Sequence, residues 1–324
     1  MLSLGTGCST LQQYRAARQV RRGDAEITTQ NLEAALVSFQ EAARLDPQLA
    51  VAHSRMGLIF RRMGEYEQAI HAYSEALRRD SSSFTDTFSL AELFHMTKRV
   101  KDAIVTYLRA VELNPDDFDA QLNLGVCYQQ TGDFSQAAER FERAISLNGD
   151  RPHAFANLGV ALDAQGKYYE AIRAFREALE RDSRQPLLLV NLARTYMNQE
   201  RYKMARQALL HALELDTNLA VAHEALGYCL FKTRDFGAAE RAYMMAISCD
   251  PRLPRAHAGL GSIYMIRYLE DPTRIEEREK ALEQWHRSLE FDSNQPRIRR
   301  LIAEYSPQDP DPDELLIRNG RTSP

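Results

Sequence analysis

A strict 34-residue period constrains this chain more than any other feature. Steps of 34 from Gly125 land on a small residue each time: Gly57, Ala91, Gly159, Ala193, Gly227 and Gly261. The same step connects Ala35, Ala69, Ala103, Ala137, Ala171, Ala205 and Ala239, and likewise Ala42, Ala76, Ala110, Ala144, Ala178, Ala212 and Ala246. Between these alanines runs a bulky ladder of Phe39, Tyr73, Tyr107, Phe141, Phe175, Leu209 and Tyr243. Small residues let helices approach closely, and large ones fill the space beside them. Within one unit, residues 118–148, the apolar residues fall at helical spacing in two runs, 122–128 and 134–147, separated by the turn signal Gly132-Asp133. A single helical hairpin of this kind cannot bury its apolar side. No insertion interrupts the period from Ala35 to Ala246, so the units stack on one another.

The pattern resembles the tetratricopeptide repeat. Leu-Gly recurs in the first helix (Leu124-Gly125, Leu158-Gly159, Leu226-Gly227), the second helix carries Ala137, Phe141 and Ala144, and a closing proline stands at Pro47, Pro115 and Pro251. The resemblance covers residues 16–305, as one partial and seven fuller repeats. It implies an all-α fold: a right-handed superhelical solenoid of stacked antiparallel helix pairs with a C-terminal capping helix at Pro296–Tyr305. Such arrays are binding platforms with many uses, so fold alone does not name a function.

Composition narrows the class further. Lys plus Arg is 41 against 45 Asp plus Glu, so no global field favours nucleic acid. There is no apolar run of membrane-spanning length. The four cysteines, Cys8, Cys127, Cys229 and Cys249, form no CxxC pair. Cys127 and Cys229 follow the small first-helix residue by two positions, which points to buried thiols.

The two ends are read separately. In residues 1–15, Gly7-Cys8-Ser9 after a short apolar stretch resembles the lipid-attachment site of bacterial lipoproteins. That resemblance makes Cys8 a lipid tether and the bacterial cell envelope the location; Gly5, where that family places Leu, and the lack of a basic n-region depart from it. Without acylation, Cys8 is incidental and the location cytoplasmic. Residues 16–49 read as a degenerate first repeat whose first helix is diluted by RRGDAEITTQN. In the last repeat Ala281 stands where residue 273 is expected, so eight residues are inserted. This charged insertion, near residues 267–280, reads as a lengthened turn between two helices, with a second contact surface as the alternative. Residues 306–324, rich in Asp and Pro, are expected to be a disordered tail.

In the family, the first helices line an inner groove, and the resemblance places ligands there. Asn123, Asn157 and Asn191 share one groove position in three consecutive repeats. An amide offers both a donor and an acceptor and can pair with a peptide backbone of any sequence. The trio resembles the asparagine ladder in the repeat arm of protein O-linked N-acetylglucosamine transferases. Leu122, Val126, Val160, Val190, Arg194 and Tyr228 complete the candidate peptide-binding set, and Arg55, Arg61 and Arg62 make the N-terminal end basic. His53, His223 and His257 share one repeat position, where packing against the neighbouring helix is expected rather than metal binding. No phosphate loop, HExxH, GxSxG or Cys-His constellation occurs, so no catalytic residue, metal site or cofactor is assigned.

These features define a non-catalytic scaffold that binds a protein or peptide of unknown identity, without a nucleic-acid or small-molecule substrate. Two other classes stand beside it: a regulatory or substrate-targeting arm of a separately encoded enzyme such as a glycosyltransferase, and a self-associating structural protein forming homo-oligomers.

Overall fold

The computed structural model describes residues 4–306, with side chains from Thr10 onward. The side chain of Cys8 and the tail from residue 307 lie outside the described residues. Among the described residues every regular element is an α-helix, and the chain forms two compact units, Met1–Lys167 and Tyr168–Pro324. The first holds α1 (Leu4–Thr28), α2 (Leu32–Leu45), α3 (Ala50–Met63), α4 (Tyr66–Arg79), α5 (Phe84–Met96), α6 (Val100–Leu113), α7 (Phe118–Thr131), α8 (Phe134–Leu147) and α9 (Pro152–Ala164). The second holds α10 (Tyr168–Arg181), α11 (Pro186–Asn198), α12 (Tyr202–Leu215), α13 (Ala220–Lys232), α14 (Phe236–Cys249), α15 (Pro254–Glu270), α16 (Ile275–Phe291) and α17 (Pro296–Tyr305). Within the first unit α1–α8, and within the second α11–α16, stack as antiparallel pairs, an A helix followed by a B helix. None is long and apolar enough to cross a membrane.

The packing follows the ladders read from the sequence. The bulky B-helix residues Phe39, Tyr107, Phe141 and Leu209 are fully buried, and so are all the ladder alanines. Where the small A-helix residue is Gly57, Gly125, Gly227 or Gly261, the ring of the same hairpin lies against it. A Cβ on Gly57 would stand 2.8 Å from the Tyr73 ring, and one on Gly125 2.6 Å from the Phe141 ring. Gly227 meets Tyr243 and Gly261 meets Trp285 in the same way. The first repeat is more regular than its sequence suggested. α1 runs for 25 residues straight through RRGDAEIT, and a Cβ on Gly23, one period before Gly57, would stand 2.6 Å from the Phe39 ring.

Two kinds of turn recur at the same period. Between A and B helices one residue adopts the left-handed conformation: Gln30, Gly64, Lys98, Gly132, Gly166, Glu200 and Arg234. Only three of the seven are glycine, and a side chain there strains the backbone. Glu200→Gly is therefore expected to raise unfolding stability by about 0.5–1 kcal/mol, read as a higher denaturation midpoint with unchanged helicity. Between a B helix and the next A helix, an Asp or Asn carboxyl or amide oxygen accepts from the amide two residues on, as in Asp46 to Gln48 (3.1 Å), Asp80 to Ser82 (3.0 Å), Asp216 to Asn218 (3.0 Å) and Asp250 to Arg252 (2.9 Å).

The eight-residue insertion corrects the expected loop. α15 and α16 are 17 residues each, where helices α3 to α14 use 13 or 14, and only Asp271–Arg274 separates them. No left-handed residue occurs at Tyr268, the position where the other repeats turn, so the helix continues. Roughly one extra turn on each helix absorbs the insertion and keeps the pair in register. The added turns are tied by Arg267 to Glu240 and to Glu277 (3.8 Å), with Arg278 over the Tyr268 ring at 5.7 Å.

Candidate functional site

The three asparagines sit where an A helix meets the ladder ring of the preceding B helix. That register position holds Ser89 on α5, Asn123 on α7, Asn157 on α9 and Asn191 on α11. Sixteen residues earlier, on the previous B helix, the ladder residue is Tyr73, Tyr107, Phe141 and Phe175 respectively. Where the ring carries a hydroxyl, a polar A-helix side chain accompanies it: Ser89 acts on the Tyr73 phenol and Asn123 on the Tyr107 phenol. Burial raises the pKa of Tyr107, and Asn123 opposes that shift. Where the ring is phenylalanine, nothing calls on the amide. Among the described residues the side chains of Asn157 and Asn191 have no hydrogen-bond partner, and both are half-exposed. The trio is thus chemically unequal. Asn123 is partly committed to the core, whereas Asn157 in the first unit and Asn191 in the second keep a free donor and acceptor.

The other sequence-nominated residues divide in the same manner. Leu122 and Val126 on α7 and Val160 on α9 are half-buried on the A-helix face. Val190 is a correction: at 2% exposure it belongs to the core of α11, together with Leu188, Leu189 and Leu192, and offers no surface to a ligand. Arg194 lies 3.7 Å from the carboxylate of Glu224 on α13. Glu224 is buried; burial pushes its pKa up, and the charges of Arg194 and Arg255 pull it back down. Tyr228 is exposed, with the Lys232 ammonium 6.0 Å from its ring. The N-terminal end is less basic than its arginines suggest. Arg55 pairs with Asp24 at 2.9 Å and Arg61 with Glu92 at 2.7 Å, so two of the three are neutralised.

The shared histidine position has a structural task that spacing alone did not disclose. Gln121 Nε2 donates to the Pro115 carbonyl (3.0 Å), His223 Nε2 to the Thr217 carbonyl (2.9 Å), and His257 Nε2 to the Pro251 carbonyl (2.9 Å). Each side chain clamps the turn six residues before it and so fixes how one repeat enters the next. At His53 the corresponding carbonyl, Pro47, is taken by Arg79 Nε at 2.5 Å, and His53 Nε2 is left without a partner. Burial lowers the His53 pKa, which keeps the ring neutral. No group of three His, Cys, Asp or Glu residues suited to a metal occurs among the described residues. Cys127 and Cys229 are buried, and burial pushes the Cys127 thiol up to about 11, away from reactivity. On the B-helix side, α4 and α6 border an open depression of about 960 Å³ lined by Leu77, Arg78, Val105, Arg109 and Leu113.

A family model described as Tetratricopeptide repeat matches residues 54–118 and 122–186, and a second of the same description matches residues 162–224. Several solved structures share the fold. YrrB, a repeat protein with an unusual peptide-binding site, is 22% identical over 58% of this chain and 96% of its own, with a TM-score of 0.54. PilF of Pseudomonas aeruginosa is 22% identical over 66% of this chain and 97% of its own, with a TM-score of 0.52. The C-terminal part of a repeat protein from Cytophaga hutchinsonii is 19% identical over 74% of this chain and 99% of its own, with a TM-score of 0.61. At these identities the likeness is one of fold. No curated protein matches the sequence.

Proposed function

The chain belongs to the tetratricopeptide repeat family, and on that premise we propose that it is a protein-interaction scaffold whose A-helix face captures an extended peptide or a partner helix. The observation that carries this reading is an uncommitted, half-exposed amide on an A helix, Asn157 in the first unit, with Asn191 at the same register position of an A helix in the second. An uncommitted amide beside Val126 and Val160 supplies what a peptide backbone requires: a donor, an acceptor and a partly apolar floor. The helices that present these groups are held by buried ladders, so little ordering cost falls on binding. The peptide-binding site of YrrB lies on the same kind of fold, which supports the reading by analogy.

The test uses peptides selected on the intact protein from a random display library. Replacing Asn157 and Asn191 together by Ala is expected to weaken those peptides roughly thirty-fold, each lost bond contributing about 1 kcal/mol, with helical content unchanged. Asn123→Ala behaves differently: it removes a polar neighbour of the buried Tyr107 phenol, and its main effect is a lower unfolding midpoint. Undiminished affinity in the double variant contradicts the proposal.

A further inference from the structure

The A-helix face of the second unit carries a polar cluster that backbone recognition by asparagine does not use. Arg194 on α11, Glu224 on α13 and Arg255 on α15 occupy register positions nine, five and two of three successive A helices, a diagonal across the face. Glu224 is nearly enclosed, with its side chain 11% exposed and the Arg194 guanidinium 3.7 Å away. The charge of Arg255 acts on the same carboxyl. One buried carboxylate against two guanidiniums leaves an excess of positive charge.

α17 extends that face. Pro296 falls one period beyond Pro254 once the eight inserted residues are counted, so α17 takes the place of a further A helix. Its Ile298, Leu301 and Tyr305 pack in one cluster with Met265, Tyr264 and Tyr268 of α15. By that register Arg297 and Arg300 stand at positions two and five, and Arg255 holds position two of the neighbouring α15. Both are exposed, and among the described residues neither forms an ion pair. Glu304 is the acid that the same register brings to this helix face. Apolar surface adjoins the charges, since Leu187 is 59% and Tyr228 44% exposed.

The residues that follow α17 have the complementary chemistry. Asp309, Asp311, Asp313 and Glu314 put four carboxylates into six residues, and Leu315-Leu316-Ile317 come next. Ten extended residues reach roughly 33 Å, and adjoining helices pack about 8–10 Å apart, so a stretch of this length is enough to reach α13 and α11 from the end of α17. We propose that residues 309–317 dock on the A-helix face of the second unit, the carboxylates against Arg194, Arg255, Arg297 and Arg300, and Leu315–Ile317 against Tyr228 and Leu187. The chain then carries its own competitor for the face, and an external partner binds by displacing it. The inference rests on the reading of the A-helix face as a peptide-binding surface and adds the charge and identity of one occupant.

A fluorescently labelled synthetic peptide of residues 307–324 tests this against the full chain. The comparison is a full chain whose own tail is disarmed by Asp309→Asn, Asp311→Asn, Asp313→Asn, Glu314→Gln, Leu315→Ser and Leu316→Ser. The disarmed chain is expected to bind the labelled peptide at least ten-fold more tightly than the natural one, with an affinity that falls as salt rises. Adding Arg255→Glu and Arg297→Glu to the disarmed chain is expected to abolish that gain. Equal affinity for both chains, or no binding to the disarmed chain, overturns the proposal. A dimer in sedimentation that disappears with the disarmed tail also overturns it, because the tail then serves a second copy. The library-selected peptides report on Asn157 and Asn191 independently, so failure of the tail to bind leaves the scaffold reading standing.

Discussion

Gly125→Leu is expected to unfold the centre of the first unit. Even a bare Cβ at this position would stand 2.6 Å from the Phe141 ring, and leucine adds three more carbons in a space already filled by a fully buried side chain. The ring has little room to yield, since Ala137 and Ala144, one turn to either side of Phe141 on the same face of α8, are themselves fully buried. The cost is at least about 3 kcal/mol, at the upper end of overpacking penalties. In a stacked array the loss falls on the hairpin and on its interfaces with both neighbours. Hydrogen exchange should therefore lose protection in α7 and α8 first, with the second unit still protected. Gly125→Ala is expected to be much milder, because Ala91 holds the same position opposite Tyr107 and Ala193 opposite Leu209. A fully protected leucine variant would show that the ring-on-glycine packing is not what holds the pair together.

Trp285→Ala is the second large effect, at the other end of the chain. The indole is 1% exposed, lies against Gly261, and donates Nε1 to the Ala258 carbonyl at 3.3 Å. It joins Met265, Ala281 and Ile298 in the cluster that fastens α17 to the last hairpin. Truncation empties that cluster, which is expected to cost about 3–5 kcal/mol. The expected signature is loss of hydrogen-exchange protection across α15, α16 and α17, while α11 and α12 keep theirs. Trp285→Phe, which retains most of the ring, should recover the larger part. The tail-docking proposal makes a linked expectation, since a chain that loses α17 also loses Arg297 and Arg300.

The fold was legible because its packing is written at a fixed interval. Any residue pair that meets in one repeat meets again 34 residues on, so the glycine, alanine and aromatic ladders announce both helices and their facing sides. What escaped were positions whose role does not depend on residue type. The left-handed turn position holds Gln30, Lys98, Glu200 and Arg234 as well as glycines, so it carries no compositional mark. Its absence at Tyr268 is what turned an expected loop into two longer helices. Gly23 was legible in principle, one step before Gly57, but the polar run around it hid a regular helix. The site was legible as a row of three asparagines and not as a difference among them. That difference depends on whether the ring beneath is tyrosine or phenylalanine, and so requires knowing which B-helix residue each asparagine touches. Val190 was misplaced for a related reason: spacing put it on the A-helix face, whereas the density of apolar residues in α11 draws it into the core.

The central claim is that partners bind the A-helix face, and site-specific photocrosslinking tests it most directly. One photoreactive residue would replace Val126, half-buried beside Asn123 on α7, and in a second protein Val105, which is 69% exposed beside the depression on α6. Library-selected peptides are expected to crosslink at position 126 and not at position 105. Crosslinking at 105 with none at 126 would contradict the account and move recognition to the B-helix side.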